Sequence, residues 1–105
     1  GVMASQGRNR VAFNKTASGD LVAAVTGGRI VLYGITAIAS AVLTVTIKDG
    51  SGGAALWGPA DIPAGGFDHA ATNYPYLAQT TISTALYMTI SGTGNIGGVV
   101  EYVVE

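Results

Sequence analysis

Strict alternation of apolar and polar residues constrains this chain more than any other feature of its sequence. In residues 43–48, LTVTIK, leucine, valine and isoleucine alternate with threonine and lysine, and residues 85–91, ALYMTIS, repeat the pattern. Successive side chains of a β-strand point to opposite faces, so this period of two predicts strands with one buried face. Glycine-rich segments separate about eight such runs, at the spacing of roughly 8–12 residues that is typical of sandwiches and barrels. The pattern predicts an all-β fold, an antiparallel β-sandwich of about eight short strands.

Two glycine patterns have the spacing of a dinucleotide-binding fingerprint. One is Gly92-x-Gly94-x-x-Gly97, and a near-match begins at Gly50. The fingerprint requires a strand before it and a helix after it, whose N-terminus holds the pyrophosphate. Residues 98–105, GVVEYVVE, form a β-branched run instead, and residues 55–64 contain two prolines that prevent a long helix. We therefore interpret both patterns as tight turns between antiparallel strands, and we expect no cofactor.

Composition narrows the function classes further. The 105 residues are enough for one domain, and charged residues make up 10% of them, against about 25% in an ordinary soluble domain. Such a surface either faces other protein or is covered by small residues such as Thr, Ser, Ala and Gly. The chain has no cysteine, which excludes disulfides, thiolate metal sites and cysteine nucleophiles. No run of 18 apolar residues occurs, so we expect no transmembrane helix.

Charge divides the chain into a basic beginning and an acidic remainder. Residues 1–20 contain Arg8, Arg10 and Lys15 against one aspartate, whereas residues 21–105 contain two basic and five acidic residues. We interpret residues 1–16 as an extended basic arm and residues 17–105 as the β-sandwich domain. Three basic residues with no aromatic beyond Phe13 are a weak nucleic-acid signal, so we expect the arm either to pair with an acidic surface on a neighbouring subunit or to carry solvated charges.

Candidate catalytic residues are few. His69 is the single histidine, so any Ser–His–Asp scheme must use it, with Asp61 or Asp49 brought close by the fold. Asp61 and Asp68 flank one segment and could also hold a cation or act as a carboxylate pair. The segment between them, IPAGGF, supplies few further oxygen ligands. We interpret these residues as surface groups and predict a protein that is not an enzyme.

Four aromatic residues lie within or beside residues 59–71. We interpret this segment as a long loop because it contains two prolines. The four aromatic residues are Trp57, Phe67, Tyr74 and Tyr76. Aromatic side chains beside glycines and acids can form a carbohydrate platform or a protein-binding patch, and they can equally form a small core beneath a loop. We keep these four residues as an alternative ligand-binding loop.

Three segments together resemble small β-sandwich virion proteins of tailed bacteriophages. They are VTGGRIVLYGITAIASAVLTVTIKDGSGGAALWGP, then IPAGGF, then ALYMTISGTGNIGGVVEYV, and the resemblance covers about residues 21–104. In that family a glycine turn leads to a basic residue and a long strand, followed by a hairpin, a glycine-rich loop and a C-terminal hairpin. The resemblance implies a jelly-roll-like domain without catalytic activity, often a homotrimer, which sits on a capsid or tail and cements neighbouring subunits.

From this resemblance we expect a capsid decoration or cement protein on the virion surface, with itself and the major capsid protein or other virion subunits as partners. The alternative is a phage tail or fibre module, or a sandwich that binds carbohydrate or a receptor. The residues we select for partner contacts lie in the arm or opposite the more apolar face of a strand. They are Arg8, Arg10, Phe13, Tyr33, Val99 and Val103.

Overall fold

The computed structural model describes residues 9–65, 67–70 by their backbone, and 76–105. Every regular element in these ranges is a β-strand, which confirms the all-β prediction. The nine strands are β1 (Asn9–Lys15), β2 (Gly19–Val22), β3 (Ile30–Ala39), β4 (Leu43–Asp49), β5 (Ala55–Ile62), β6 (Phe67–Ala70), β7 (Ala78–Gln79), β8 (Leu86–Ser91) and β9 (Ile96–Val104). The described ranges hold no helix that is long and apolar enough to cross a membrane.

The strands form two antiparallel sheets with the order of a jelly roll. Sheet A has the order β1-β9-β3-β6, with the two-residue β7 also paired to β3. Sheet B has the order β2-β8-β4-β5. Strands that follow one another in sequence therefore lie mostly in opposite sheets, which is how a jelly roll winds its chain. The predicted jelly-roll-like sandwich is confirmed.

The order of the strands determines which of the glycine turns are hairpins. Among the described strands, β4 and β5 are the consecutive pair that hydrogen-bond to each other, so Gly50 lies in a hairpin as predicted. Gly92 and Gly94 do not lie in a hairpin, because the strands on either side of them belong to different sheets. β8 pairs with β2 and β4, whereas β9 pairs with β1 and β3. Gly92 and Gly94, with φ of 119° and 145°, turn the chain from sheet B into sheet A. The expected C-terminal hairpin is thus a connection between sheets, and it leads into a strand.

The core lies between the sheets and follows the alternation of the sequence. In β4, Leu43, Val45 and Ile47 are buried while the threonines between them are partly exposed. In β8, Leu86 and Met88 are fully buried. One polar residue joins this core: the Thr80 hydroxyl accepts a hydrogen bond of 2.9 Å from the Ile30 amide, and the Thr80 amide donates to the Ile30 carbonyl. The sandwich therefore closes over satisfied polar groups.

Residues 9–15, interpreted from sequence as part of an arm, form β1 at the edge of sheet A. They pair with β9 one to one, from Asn9 with Tyr102 to Lys15 with Ile96. Val11 and Phe13 face inward and pack against the core. The arm has a strand partner because β9 would otherwise be left with an open edge and an uncovered apolar flank.

The described residues in the segment 59–70 are likewise more regular than a long loop. β5 continues through Pro59 to Ile62, and β6 occupies residues 67–70 beside β3. Proline is compatible with β5 because this strand lies at the edge of sheet B, where one side makes no ladder hydrogen bonds. The Gly58–Pro59 peptide bond is cis, and the ladder skips across it between Ile47 and Val45. The prolines therefore mark an edge strand.

Candidate functional site

The side of sheet A that faces away from the core gathers most of the residues selected from sequence. We call this surface the A face. It is formed by alternate residues of the three strands β1, β9 and β3, whose register places them side by side. Its members are Arg10, Ala12, Val31, Tyr33, Thr36, Ile38, Val99, Glu101 and Val103.

A β-bulge in β3 sets the composition of this face. Leu32 lies opposite Tyr102 and Gly34 lies opposite Glu101, so Tyr33 is an extra residue in the ladder. The side chains before and after the bulge, Leu32 and Ile35, both face the core. The bulge thus places Tyr33 on the A face. The residues before and after it continue to alternate so that apolar side chains point into the core. The sequence predicts this irregularity from Gly34 within a β-rich run.

The middle of the A face is aliphatic. Val99 lies between Ala12 and Thr36, and Val103 lies opposite Val31. Val31 itself is 1% exposed, so it supports Val103 from below and offers no surface to a partner. At one end of the face, Ile38 is 65% exposed. An uncharged β-branched surface of this kind is suited to burial against another protein.

A charged pair borders the aliphatic residues. The Arg10 guanidinium lies 3.2 Å from a Glu101 carboxylate oxygen, and the two residues are directly opposite in the β1–β9 ladder. Between the pair and β3 is an open hollow of about 180 Å³, lined by Arg10, Gly34, Ile35, Thr36, Val99 and Glu101. A side chain with a polar tip and an apolar stem fits such a hollow, because one wall is charged and the opposite wall is apolar.

The outward side of sheet B, the B face, has a different chemistry. Its central strands β4 and β8 present three threonines, a lysine, a tyrosine and a serine: Thr44, Thr46, Lys48, Tyr87, Thr89 and Ser91. The Thr44 hydroxyl donates a hydrogen bond of 2.9 Å to Asp61 on the neighbouring edge strand. Polar residues cover the central strands of the B face, whereas the A face combines aliphatic residues with Arg10, Tyr33, Thr36 and Glu101. The two sides of the sandwich are not equivalent.

The residues predicted to contact a partner divide into two groups. Arg10, Tyr33, Val99 and Val103 share the A face, although they are distant in sequence. Phe13 lies on the opposite side of β1, against the core, because it is three residues from Arg10 in an alternating strand. Arg8 lies outside the described residues.

The alternative aromatic loop is only partly described. Trp57 is partly buried on β5 and packs against the core, as expected for a small core beneath a loop, and Tyr76 is 42% exposed. The side chain of Phe67 and all of Tyr74 lie outside the described residues. A ligand-binding role for these aromatics stays a prediction.

The candidate catalytic and metal residues remain apart as far as they are described. Asp61 accepts its hydrogen bond from Thr44, and Asp49 accepts one of 2.9 Å from the Thr81 amide. The side chains of Asp68 and His69 lie outside the described part of the chain. Among the residues whose positions are described, no three histidines, cysteines or acids come close enough to hold a metal ion.

Sequence reasoning misses several members of the A face. Ile38 and Ala12 belong to it, and Glu101 forms its charged border with Arg10. The signal for Ile38 was present, because it is the large residue between Ala37 and Ala39 and therefore points away from them. The Arg10–Glu101 pair has no local signal, because 91 positions separate the two residues.

Comparisons with known proteins leave the fold and the A face as the basis for a functional assignment. No family model matches the chain, and neither the curated proteins nor the solved structures include one that is significantly similar to it.

Proposed function

We propose that this chain is a non-enzymatic structural protein of a phage virion, of the capsid decoration or cement type, which bridges neighbouring capsid subunits. The supporting observation is the contrast between the two sides of the sandwich. The A face presents aliphatic residues at its centre, whereas the B face presents threonines and a lysine. The location on a phage capsid comes from the resemblance of residues 21–104 to small virion sandwich proteins.

The arrangement of the A face suits a protein partner. Protein interfaces have a centre that is depleted of charge and a rim that is polar. Val99, Val103 and Tyr33 would form such a centre, and Arg10 with Glu101 would lie at its border. The aliphatic side chains Val99 and Val103 have no hydrogen bonds to water to give up on binding, so covering them carries little desolvation cost.

The resemblance also implies that the protein assembles as a homotrimer. In such an assembly the A face would meet the major capsid protein, and other surfaces would form the three-fold contact. The excess of basic over acidic residues in residues 1–20 favours an acidic partner surface.

The test compares one substitution on each side of the sandwich. Val99→Glu places a charge at the centre of the A face, and Thr89→Glu places the same charge on the B face. Both residues are partly exposed and lie on inner strands of their sheets, which makes them a matched pair. Binding is measured by co-sedimentation with capsids of the encoding phage from which this protein has been deleted. We expect Val99→Glu to weaken binding at least about tenfold, since a buried unpaired charge is costly, and Thr89→Glu to leave it within about twofold.

Circular dichroism and the urea midpoint establish that both variants remain folded. Equal loss of binding in the two variants would refute the A face as the contact surface. If the wild-type protein does not bind the deleted capsids at all, the capsid role itself is wrong.

A further inference from the structure

The outer edge of β1 is the most regular strand edge of the sandwich. All seven residues of β1 pair with β9 without a register shift, and within the described ranges no strand lies on the other side of β1. An antiparallel edge strand directs about half of its backbone N–H and C=O groups away from its one partner. Asn9, Arg10, Ala12 and Asn14 are exposed along this edge. It therefore offers a complete row of hydrogen-bonding groups to another strand.

The other edges are less suited to pairing. β2 has four residues and a register shift between Asp20 and Val22. β5 contains Pro59 and two register shifts. β6 has four residues and β7 has two. Short strands, bulges and proline are among the devices by which proteins block edge-to-edge association, and β1 has none of these three. It does carry two charged residues, Arg10 and Lys15, near its ends.

The sequence of β1, NRVAFNK, is suited to pairing with a second copy of itself. If two β1 strands pair in antiparallel fashion with Ala12 on the two-fold axis, apolar residues oppose apolar ones and each cation opposes an amide. The opposed pairs are Ala12 with Ala12, Val11 with Phe13, Arg10 with Asn14, and Asn9 with Lys15. Opposed apolar residues stabilise such a ladder, and directly opposed like charges, which would destabilise it, do not occur.

Repulsion along the paired strands is also small. In this register the two copies of Arg10 are offset by four residues, which is about 14 Å, and the two copies of Lys15 by six residues, about 20 Å. Both distances exceed the screening length of about 8 Å at physiological salt. Arg10 is moreover paired with Glu101 of its own chain.

We infer that the β1 edge is an interaction surface for a second copy of this chain, with the two β1 strands antiparallel and Ala12 at the two-fold axis. Sheet A then continues from one protomer into the other, and the A faces of both lie on the same side of the joined sheet. The contact is independent of the proposed capsid role, and it leaves the other surfaces free for a three-fold assembly. Because the contact is a single pair of strands, we expect an association that depends on protein concentration.

Disulfide trapping tests the register directly, because the chain has no cysteine of its own. In Ala12→Cys the two introduced thiols lie on opposed residues, whose Cα atoms are about 4.5–5.5 Å apart in an antiparallel pair. That separation is within the range that a disulfide spans, about 4.4–6.8 Å. In the control Asn14→Cys, on the same face of the same strand, the two cysteines are about 14 Å apart. We expect a covalent dimer from Ala12→Cys on mild oxidation, formed at least about tenfold faster than from Asn14→Cys.

Charged substitutions at Ala12 test the same contact without oxidation. Ala12→Glu alone opposes two carboxylates at the axis, and Ala12→Lys alone opposes two ammonium groups. Each variant should associate at least about tenfold more weakly than the wild type in sedimentation equilibrium, and an equimolar mixture should recover association. Unchanged circular dichroism shows that the protomers are folded. The inference is overturned if Ala12→Cys cross-links no faster than Asn14→Cys, or if Ala12→Glu associates as well as the wild type.

Discussion

Gly98 is a position inside sheet A at which a single added methyl group should strongly destabilise the fold. It lies in β9 between β1 and β3, opposite Phe13 on one side and Ala37 on the other. A Cβ atom built on Gly98 would lie 1.8 Å from the Thr36 carbonyl oxygen and 2.7 Å from the Ala37 Cα. Both contacts are with backbone atoms of β3, so a rotamer change cannot relieve them. Gly98→Ala therefore requires β3 and β9 to separate.

The cost follows from this geometry. Ordinary contact begins near 3.4 Å, so the strands must separate by about 1.6 Å at this point. A ladder hydrogen bond does not survive that change, because its donor–acceptor distance is near 2.9 Å. Losing about two buried backbone bonds, at about 1–3 kcal/mol each when left unsatisfied, gives a destabilisation of roughly 2–6 kcal/mol. That is a large part of the roughly 5–15 kcal/mol of a typical domain, and at about 4–8 °C per kcal/mol it lowers the melting temperature by roughly 8–48 °C.

The neighbouring glycine provides a matched control. A Cβ atom on Gly97 would come no closer than 3.3 Å to Asn14 and Phe13, so Gly97→Ala should change stability by less than about 1 kcal/mol. Urea unfolding of both variants is followed by circular dichroism and by the fluorescence of the single tryptophan. If Gly98→Ala proves as stable as Gly97→Ala, β3 does not approach β9 as closely as the structure has it.

Three further predictions concern the core and the charged border. Thr80→Val should lower the free energy of unfolding by about 1–3 kcal/mol, because it leaves the buried Ile30 amide without an acceptor, whereas Thr80→Ser keeps the hydroxyl and should cost less in the same urea titration. Leu86→Ala should cost about 2–5 kcal/mol by calorimetry, since Leu86 is fully buried, and a smaller loss would mean that the site collapses around the cavity. Arg10→Ala should cost less than about 1 kcal/mol, because its ion pair with Glu101 is largely exposed, and raising the salt concentration should reduce the difference from the wild type.

Periodicity predicts the strands that have one face in the core. In β4 and β8, one side of the strand faces solvent and the other faces the core, so apolar and polar residues alternate along both sequences. Edge strands carry a weaker signal because both sides of them are partly exposed. β1, with its asparagines and cations, reads as an arm, and β5, with Pro59, reads as the start of a loop. Which strands become neighbours depends on long-range pairing, which no local pattern encodes.

The A face is predictable in part for the same reason. The rule that contact residues lie opposite the more apolar face of a strand selects Tyr33, Val99 and Val103. The rule does not reach Phe13, which the sequence places in the arm, because residues 9–15 do not read as a strand with an inward side. The same rule cannot predict that Arg10 and Glu101 are close, because their proximity depends on β1 and β9 being adjacent strands.

The position of β9 has a consequence for how the protein reaches its native state. β9 lies between β1 and β3, so these two early strands are held in sheet A through the last strand of the sequence. On the ribosome, β1 and β3 emerge before the strand that separates them has been synthesised. We expect sheet A to assemble only after translation of β9, and slowly, because loop closure over most of the chain precedes the gain in pairing energy. Until then the edge of the strongly apolar β3 that pairs with β9 is open, although β6 and β7 can already pair with its other edge. This interval is when the nascent chain is most prone to aggregate.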